Sequence, residues 1–253
     1  MMHSKKNDCI GGKWIILSDI HGNLSALLAC LEDIERKYEP DSVIILGDVI
    51  NYGMRPNEVI EKLSSLEWPI PIKIYGNHEK ALFDHDTSHF STERGRQLLE
   101  FTRNRLNADS VSFLQSMNPS AKAELELNGK RMLFVHGNIH DPYWGNLNEA
   151  SVSDPAYLQY DYVLSGHSHI PHLIEYFHPA DRPEYRNKKR TVFINPGSVG
   201  QPRNHSDRAQ YVYLEPETET IHFNSIAYDI AQEQVLYPPE LDSFYRDRLS
   251  RGI

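Results

Sequence analysis

The chain has 253 residues, with 26 Lys and Arg against 35 Asp and Glu for a formal charge of -9. Its 40% hydrophobic and 24% charged residues exclude global disorder, and its 2 cysteines, Cys9 and Cys30, cannot build a disulfide framework, which predicts a reducing, cytoplasmic setting. The acidic balance gives no general attraction to a phosphate backbone, so no stable nucleic-acid partner is expected and any phosphate recognition has to be local. No window reaches membrane-spanning length and the start lacks the apolar core of a signal peptide, so no membrane association is expected. Residues 1–12 read as a flexible arm and 13–253 as one domain.

The first predicted strand is the apolar run Trp14 to Ser18, which stops at Asp19. Leu24, Leu27, Leu28, Leu31 and Ile34 then recur at helical spacing, predicting a helix over 24–36 with Asn23 as its cap. Ser42 to Leu46 is a second strand halting at Gly47-Asp48, and Pro56 suits the first turn of a helix over 58–66. Ile70 to Tyr75 reads as a third strand, ending at Gly76-Asn77. Such β-α-β steps predict a parallel or mixed sheet with chemistry beyond the strand C-termini. Residues 79–118 lack strand-like runs and form a helical excursion, with helices expected at 92–105 and 109–117. Strands at 123–127 and 131–135 flank Asn128-Gly129, a hairpin signal. Further short strands are expected at 162–165, 173–177, 191–194, 210–214 and 220–224, and a last helix at 239–249. The basic run Arg186 to Arg190 falls in a hairpin-like connection, with a solvated loop weighed against a rim attracting anionic substrate.

Five strand exits carry chemistry-bearing residues: Asp19-x-His21, Gly47-Asp48, Gly76-Asn77-His78-Glu79, His136-Gly137 and Gly166-His167-x-His169. A carboxylate and an imidazole two residues apart can approach one point, and mixed nitrogen and oxygen donors suit Mn, Fe, Zn or Ni better than Ca. Any one histidine is ordinarily a satisfied polar residue. The registration of four of the 13 histidines with Asp19, Asp48 and Asn77 is what chance placement does not predict.

Taken in order, these segments resemble the signature of the calcineurin-like metallophosphoesterases, and Asn195 to Arg203 resembles their small prokaryotic phosphodiesterase branch. The resemblance implies an α/β fold, a four-layer α-β-β-α sandwich of two mixed β-sheets. It implies two divalent transition-metal ions, one held by Asp19, His21, Asp48 and His169 and the other by Asp48, Asn77, His136 and His167. Asp48 would bridge them and a shared hydroxide would attack phosphorus. His78 would assist the leaving oxygen, and Glu79 would orient a histidine. The implied activity is hydrolysis of a small-molecule or nucleotide phosphodiester, with Asn77, His78, Tyr143, Trp144 and Arg203 as substrate contacts. His85, His89 and His140 are weighed as mouth residues. A nucleotide or dinucleoside polyphosphate pyrophosphohydrolase, a serine/threonine protein phosphatase and a non-catalytic binding scaffold are the rivals.

Overall fold

Short apolar runs with no polar position inside them are buried on both faces and become the central strands. In the computed structural model, which describes residues 11–90 and 92–253, β1 (Trp14–Leu17) pairs in parallel with β2 (Ser42–Ile45), and β2 with β3 (Ile72–Lys73). The expected N-terminal arm falls outside the described residues except for Gly11 and Gly12, and Cys9 falls outside with it. Helix α1 (Leu24–Lys37) starts where Asn23 accepts a hydrogen bond from the Ala26 amide at 3.0 Å, and it buries Ala26, Leu27, Cys30, Leu31 and Ile34. Leu28 lies off that stripe and is exposed. Helix α2 (Pro56–Ser64) begins with the proline itself, two residues before the expected start. Strand β3 is shorter than predicted because Pro69 and Pro71 have no amide proton for a ladder; Ile74 adds one bridge to Asn118.

Three helices follow β3: α3 (Asn77–Asp84), α4 (Glu93–Arg103) and α5 (Ala108–Gln115). Helix α3 was not expected. Its start coincides with the Gly-Asn-His-Glu segment, where the Glu79 carboxylate accepts from the Gly76 amide at 2.8 Å.

The second sheet contains β4 (Lys122–Leu127), β5 (Lys130–Val135), β6 (Tyr162–Ser165), β7 (His172–Pro179) and β8 (Lys188–Asn195). Asn128 and Gly129 both take positive φ, 51° and 74°, which closes the predicted two-residue hairpin. Strands β9 (Ala209–Glu215) and β10 (Thr220–Ile226) return antiparallel to the first sheet. The sheet orders are β10-β9-β1-β2-β3 and β4-β5-β6-β8-β7, each mixing parallel and antiparallel pairs.

The sheets pack face to face through Trp14, Ile16, Ile44, Phe134, Leu164 and Val212. Trp14 meets Phe134 across this layer with ring centroids 6.0 Å apart, and each such buried side chain stabilises by about 2–3 kcal/mol. Helices α1 and α2 cover the other face of the first sheet. Leu147, Val152, Tyr157 and Tyr160, from the connection after β5, cover the second. The result is the α/β sandwich of two mixed sheets. A short helix that was not expected, α6 (Ile230–Gln234), comes first, and the helix expected over 239–249 is cut to α7 (Phe244–Asp247) and a 3-10 turn at Arg248–Ser250. Asp242 and Ser243 spend their side chains on the Phe244 amide and on Asp247, which favours a short cap over a continuous helix. No helix among the described residues is long and apolar enough to cross a membrane.

Candidate metal centre

Strand exits from both sheets deliver polar residues to one buried point. Asp19, His21, Asp48, His167 and His169 all take positive φ between 50° and 63°, a left-handed conformation disfavoured for side-chain-bearing residues. Five such residues at one place mark stored backbone strain that the surrounding fold holds in position. Gly47 and Gly166 permit the convergence. A Cβ on Gly47 would sit 2.4 Å from the Gly76 nitrogen, and one on Gly166 would sit 2.2 Å from Ser18 Oγ.

The side chains form two groups that share Asp48. Donor atoms of Asp19, His21, Asp48 and His169 lie within 4.8 Å of one another, as do those of Asp48, His136 and His167. Asn77 Oδ1 joins the second group, 3.0 Å from both His136 Nε2 and His167 Nδ1. Asp48 Oδ2 stands between the groups, 3.7 Å from His21 Nε2 and 3.3 Å from His136 Nε2. Its other oxygen accepts from the His78 amide at 2.9 Å.

Hydrogen bonds behind the cluster fix the direction of the lone pairs. The Nδ1 atoms of His21, His136 and His169 lie 3.0, 2.7 and 2.5 Å from the carbonyls of Ile50, Leu46 and Gln201. Carbonyls only accept, so each Nδ1 carries the proton and each Nε2 presents a lone pair inward. The His21 and His169 Nε2 atoms then face each other at 3.2 Å, and His136 Nε2 faces the Asn77 carbonyl oxygen. Asp19 Oδ1 is buried with no hydrogen-bond partner and points at His169 Nε2, 3.1 Å away. Opposed acceptors and an orphaned carboxylate oxygen, all buried, call for cations between them. The residues present therefore fit divalent metal ions.

Charges in the cluster interlock. Burial opposes ionisation of Asp19 and Asp48, yet His169 beside the first and His136 beside the second hold both carboxyls well below their ordinary range. Burial also opposes protonation of His136, but Asp48 pulls its pKa up to about 9, so its Nε2 presents the lone pair only in the neutral ring, once a bound cation takes the place of that proton. Burial lowers His167 and His78 to about 4 each.

Glu79 does not orient a histidine, contrary to expectation. Its two oxygens accept from the amides of Asp48, Val49 and Gly76 at 2.8–2.9 Å, clasping the loop after β2 to the start of α3. Burial and the neighbouring Asp48 raise its pKa to about 7.

His78 is buried beside the cluster with Nε2 3.8 Å from Asp48 Oδ2. The residue that orients it is Asn51, whose amide nitrogen lies 2.7 Å from His78 Nδ1. Asn51 Oδ1 is engaged by the Tyr52 amide at 2.8 Å and by Thr102 Oγ1 at 3.4 Å, which turns the amide NH2 toward the imidazole. His78 therefore keeps its proton on Nε2, on the cluster side. Tyr52 and Phe90 enclose the ring edge-on at 4.6 and 5.0 Å. The helical excursion thus supplies Phe90 and Thr102 as supports for His78.

The cluster opens into a cavity of about 160 Å³. Asp48, Asn77, His78, His167, His169, Trp144 and Arg203 line it, together with Tyr52, His89 and Phe90, which sequence reasoning left out or left open. Trp144 stacks on His89 at 4.9 Å. Tyr143 does not line this cavity, contrary to expectation. Asp141 Oδ1 caps both following amides, and the adjacent side chains diverge. Tyr143 packs on Lys80 and bonds to the Pro119 carbonyl. His85 caps the end of α3 on the surface, and exposed His140 pairs with Asp154 at 2.7 Å.

The basic run does not form a rim here. Its residues enter the far end of β8, seven residues or roughly 23 Å from Asn195, whose amide braces Gly166 and Ser168. A larger cavity of about 790 Å³ opens there, but Lys189 pairs with Asp161, and Arg190 with Glu175 and Glu219.

Residues 13–219 match the family model of the calcineurin-like phosphoesterase superfamily domain. The chain belongs to that superfamily. This calcineurin-like phosphoesterase is 30% identical over 221 residues to an uncharacterized protein of Methanocaldococcus jannaschii, covering 85% of this chain and 87% of that one. It is similar to the crystal structure of a metallophosphoesterase from Sphaerobacter thermophilus, with a TM-score of 0.73 and 26% identity over 95% of this chain and 99% of the other. A hypothetical protein from Pyrococcus horikoshii OT3 shares the fold, with a TM-score of 0.77, 20% identity and coverage of 95% and 98%.

Proposed function

We propose that the chain is a dinuclear-metal hydrolase of phosphoric esters, acting on a phosphodiester of a small molecule or nucleotide. The observation that carries this reading is Asp48 Oδ2, shared between two buried sets of inward-facing nitrogen and oxygen donors. Asp19, His21, Asp48 and His169 would hold one ion, and Asp48, Asn77, His136 and His167 the second. The mixed donor set suits Mn, Fe, Zn or Ni. Such ions supply Lewis acidity toward phosphoryl oxygens and lower the pKa of a water to the point where it attacks phosphorus.

The chain's own residues do the rest. Carbonyls of Ile50, Leu46 and Gln201 hold three imidazoles in one tautomer, so their lone pairs stay aimed inward while charge redistributes. His78, with its proton on Nε2, donates a hydrogen bond to the leaving oxygen as negative charge builds on it. A neutral donor fits this geometry better than the imidazolium a pH-driven acid would need, because the Asn51 amide donates to Nδ1. Phe90 and Trp144 narrow the cavity, which fits a small substrate better than the surface of a phosphoprotein.

A metal-supplemented hydrolysis screen over diesters, mononucleotides, dinucleoside polyphosphates and phosphopeptides tests the assignment. Hydrolysis of bis-p-nitrophenyl phosphate with labelled water oxygen entering the phosphate product is the expected outcome. No hydrolysis after addition of each of the four metals would leave only the binding-scaffold reading.

A further inference from the structure

Residues 220–253 lie beyond the family-matched part of the chain, yet part of that segment packs behind Tyr52, which lines the cavity. Tyr245 of α7 stacks on Tyr52 with centroids 4.3 Å apart at 16°. Tyr52 in turn lies against His21 at 4.5 Å, and the Tyr237 hydroxyl donates to the Tyr52 carbonyl at 2.7 Å. The segment is tied down by Glu233, which accepts from the Ser25 amide at 2.7 Å and pairs with Arg55.

One arginine on this flank, Arg203, forms no ion pair among the described residues. Arg203 lines the cavity beside Asp48 and His78, and only its backbone amide is engaged, by the His169 carbonyl at 3.2 Å. Its Nε is buried without a hydrogen-bond partner. Arg248 stands behind it, 8% exposed, stacked on Phe244 and Tyr245, with Nε donating to the Ile253 carbonyl oxygen at 2.5 Å. Burial and the nearby charge of Arg203 lower the Arg248 pKa to about 10. Two other partly enclosed cations are neutralised, Lys189 by Asp161 and Arg55 by Glu233. The Arg203 guanidinium, at the cavity with no acidic partner among the described residues, is costly to leave so unless an anion completes it.

We propose that Arg203, which shares the cavity lining with the stacked Tyr52, binds a second phosphoryl group of the substrate beside the one under attack. The substrate class is then a phosphorylated small molecule or nucleotide carrying two adjacent phosphoryl groups. This rests on the proposed hydrolase reading and narrows it. The planar guanidinium suits the role because its fork matches phosphate oxygens two at a time. Arg203 is the contact; Tyr245 is a positioning residue that acts through Tyr52.

The test is calorimetric titration of methylenediphosphonate and of methylphosphonate into the Mn-loaded protein, its R203M and R203K variants, and Y245A. R203M is expected to lose about tenfold to one-hundredfold in methylenediphosphonate affinity and less than about threefold for methylphosphonate. R203K should recover part of that loss, and Y245A should weaken the diphosphonate selectively. Equal loss for both probes would overturn the proposal by placing Arg203 on the attacked phosphoryl group; no loss for either would overturn it outright. Metal content and circular dichroism of each variant separate these results from misfolding. Selective binding without hydrolysis of any ester would sink the hydrolase reading and leave the subsite standing, whereas hydrolysis without selectivity would do the reverse.

Discussion

The two ends of strand β8 handle charge in opposite ways. At Lys188 the chain gathers its basic run around the larger cavity, where the partly buried Lys189 and Arg190 are paired with Asp161, Glu175 and Glu219 and the exposed Arg182, Arg186 and Lys188 are left to solvent. At Asn195 the strand reaches the smaller cavity, where, among the described residues, Asp19 Oδ1 lacks a hydrogen-bond partner, the His21 and His169 lone pairs oppose one another and Arg203 has no acid. Cavity size and a run of like charge therefore locate solvated surface in this protein. Uncompensated polar groups locate the chemistry, because the fold bears their cost only where something else completes them.

The comparison breaks most easily at Asp48. D48N should reduce hydrolysis by at least about a thousandfold, since it removes the carboxylate common to both donor groups. Turnover and metal content, measured together, check this. At His78 the expectation is different: H78A should lower kcat by about one-hundredfold while both ions remain bound. Equal metal loss in the two variants would remove His78 from its role beside the leaving oxygen.

Smaller effects sharpen the contrast. N51A removes the amide that sets the His78 tautomer, and about a tenfold fall in kcat with unchanged metal content is expected. Its left-handed backbone adds a stability cost of about 1 kcal/mol, to be read from denaturant unfolding. At the far end of β8, R190Q should leave kcat unchanged and shift stability by no more than about 1 kcal/mol, because its ion pairs are partly solvated. A large fall in activity for R190Q would reinstate the basic run as a substrate rim.

Much of the site is legible in the sequence because its residues sit where apolar runs end. Asp19, Asp48, His136 and His167 each follow a strand within two residues or so, and one strand exit after another adds to the same point. Asn51 gives no such signal: three residues past Asp48, it reads as turn chemistry, and its role depends on Thr102 from α4. Tyr245 is equally silent, since its meaning comes from stacking on Tyr52 nearly two hundred residues earlier. In the fold, the long strands and α1 follow from pattern and caps. The shortened β3 and the divided C-terminal helix follow from competition between side chains and backbone, at prolines in one case and at Asp242 and Ser243 in the other. Helix α3 is masked in the sequence by the polar residues of the site it helps to build.

The most direct measurement is metal stoichiometry of the purified protein after chelation and reloading, read by elemental analysis alongside hydrolysis of bis-p-nitrophenyl phosphate. Two ions per chain, falling below one in D48N together with activity, is the predicted result. A wild-type chain that binds no divalent transition metal, or a D48N chain that keeps both ions and its activity, would contradict the account.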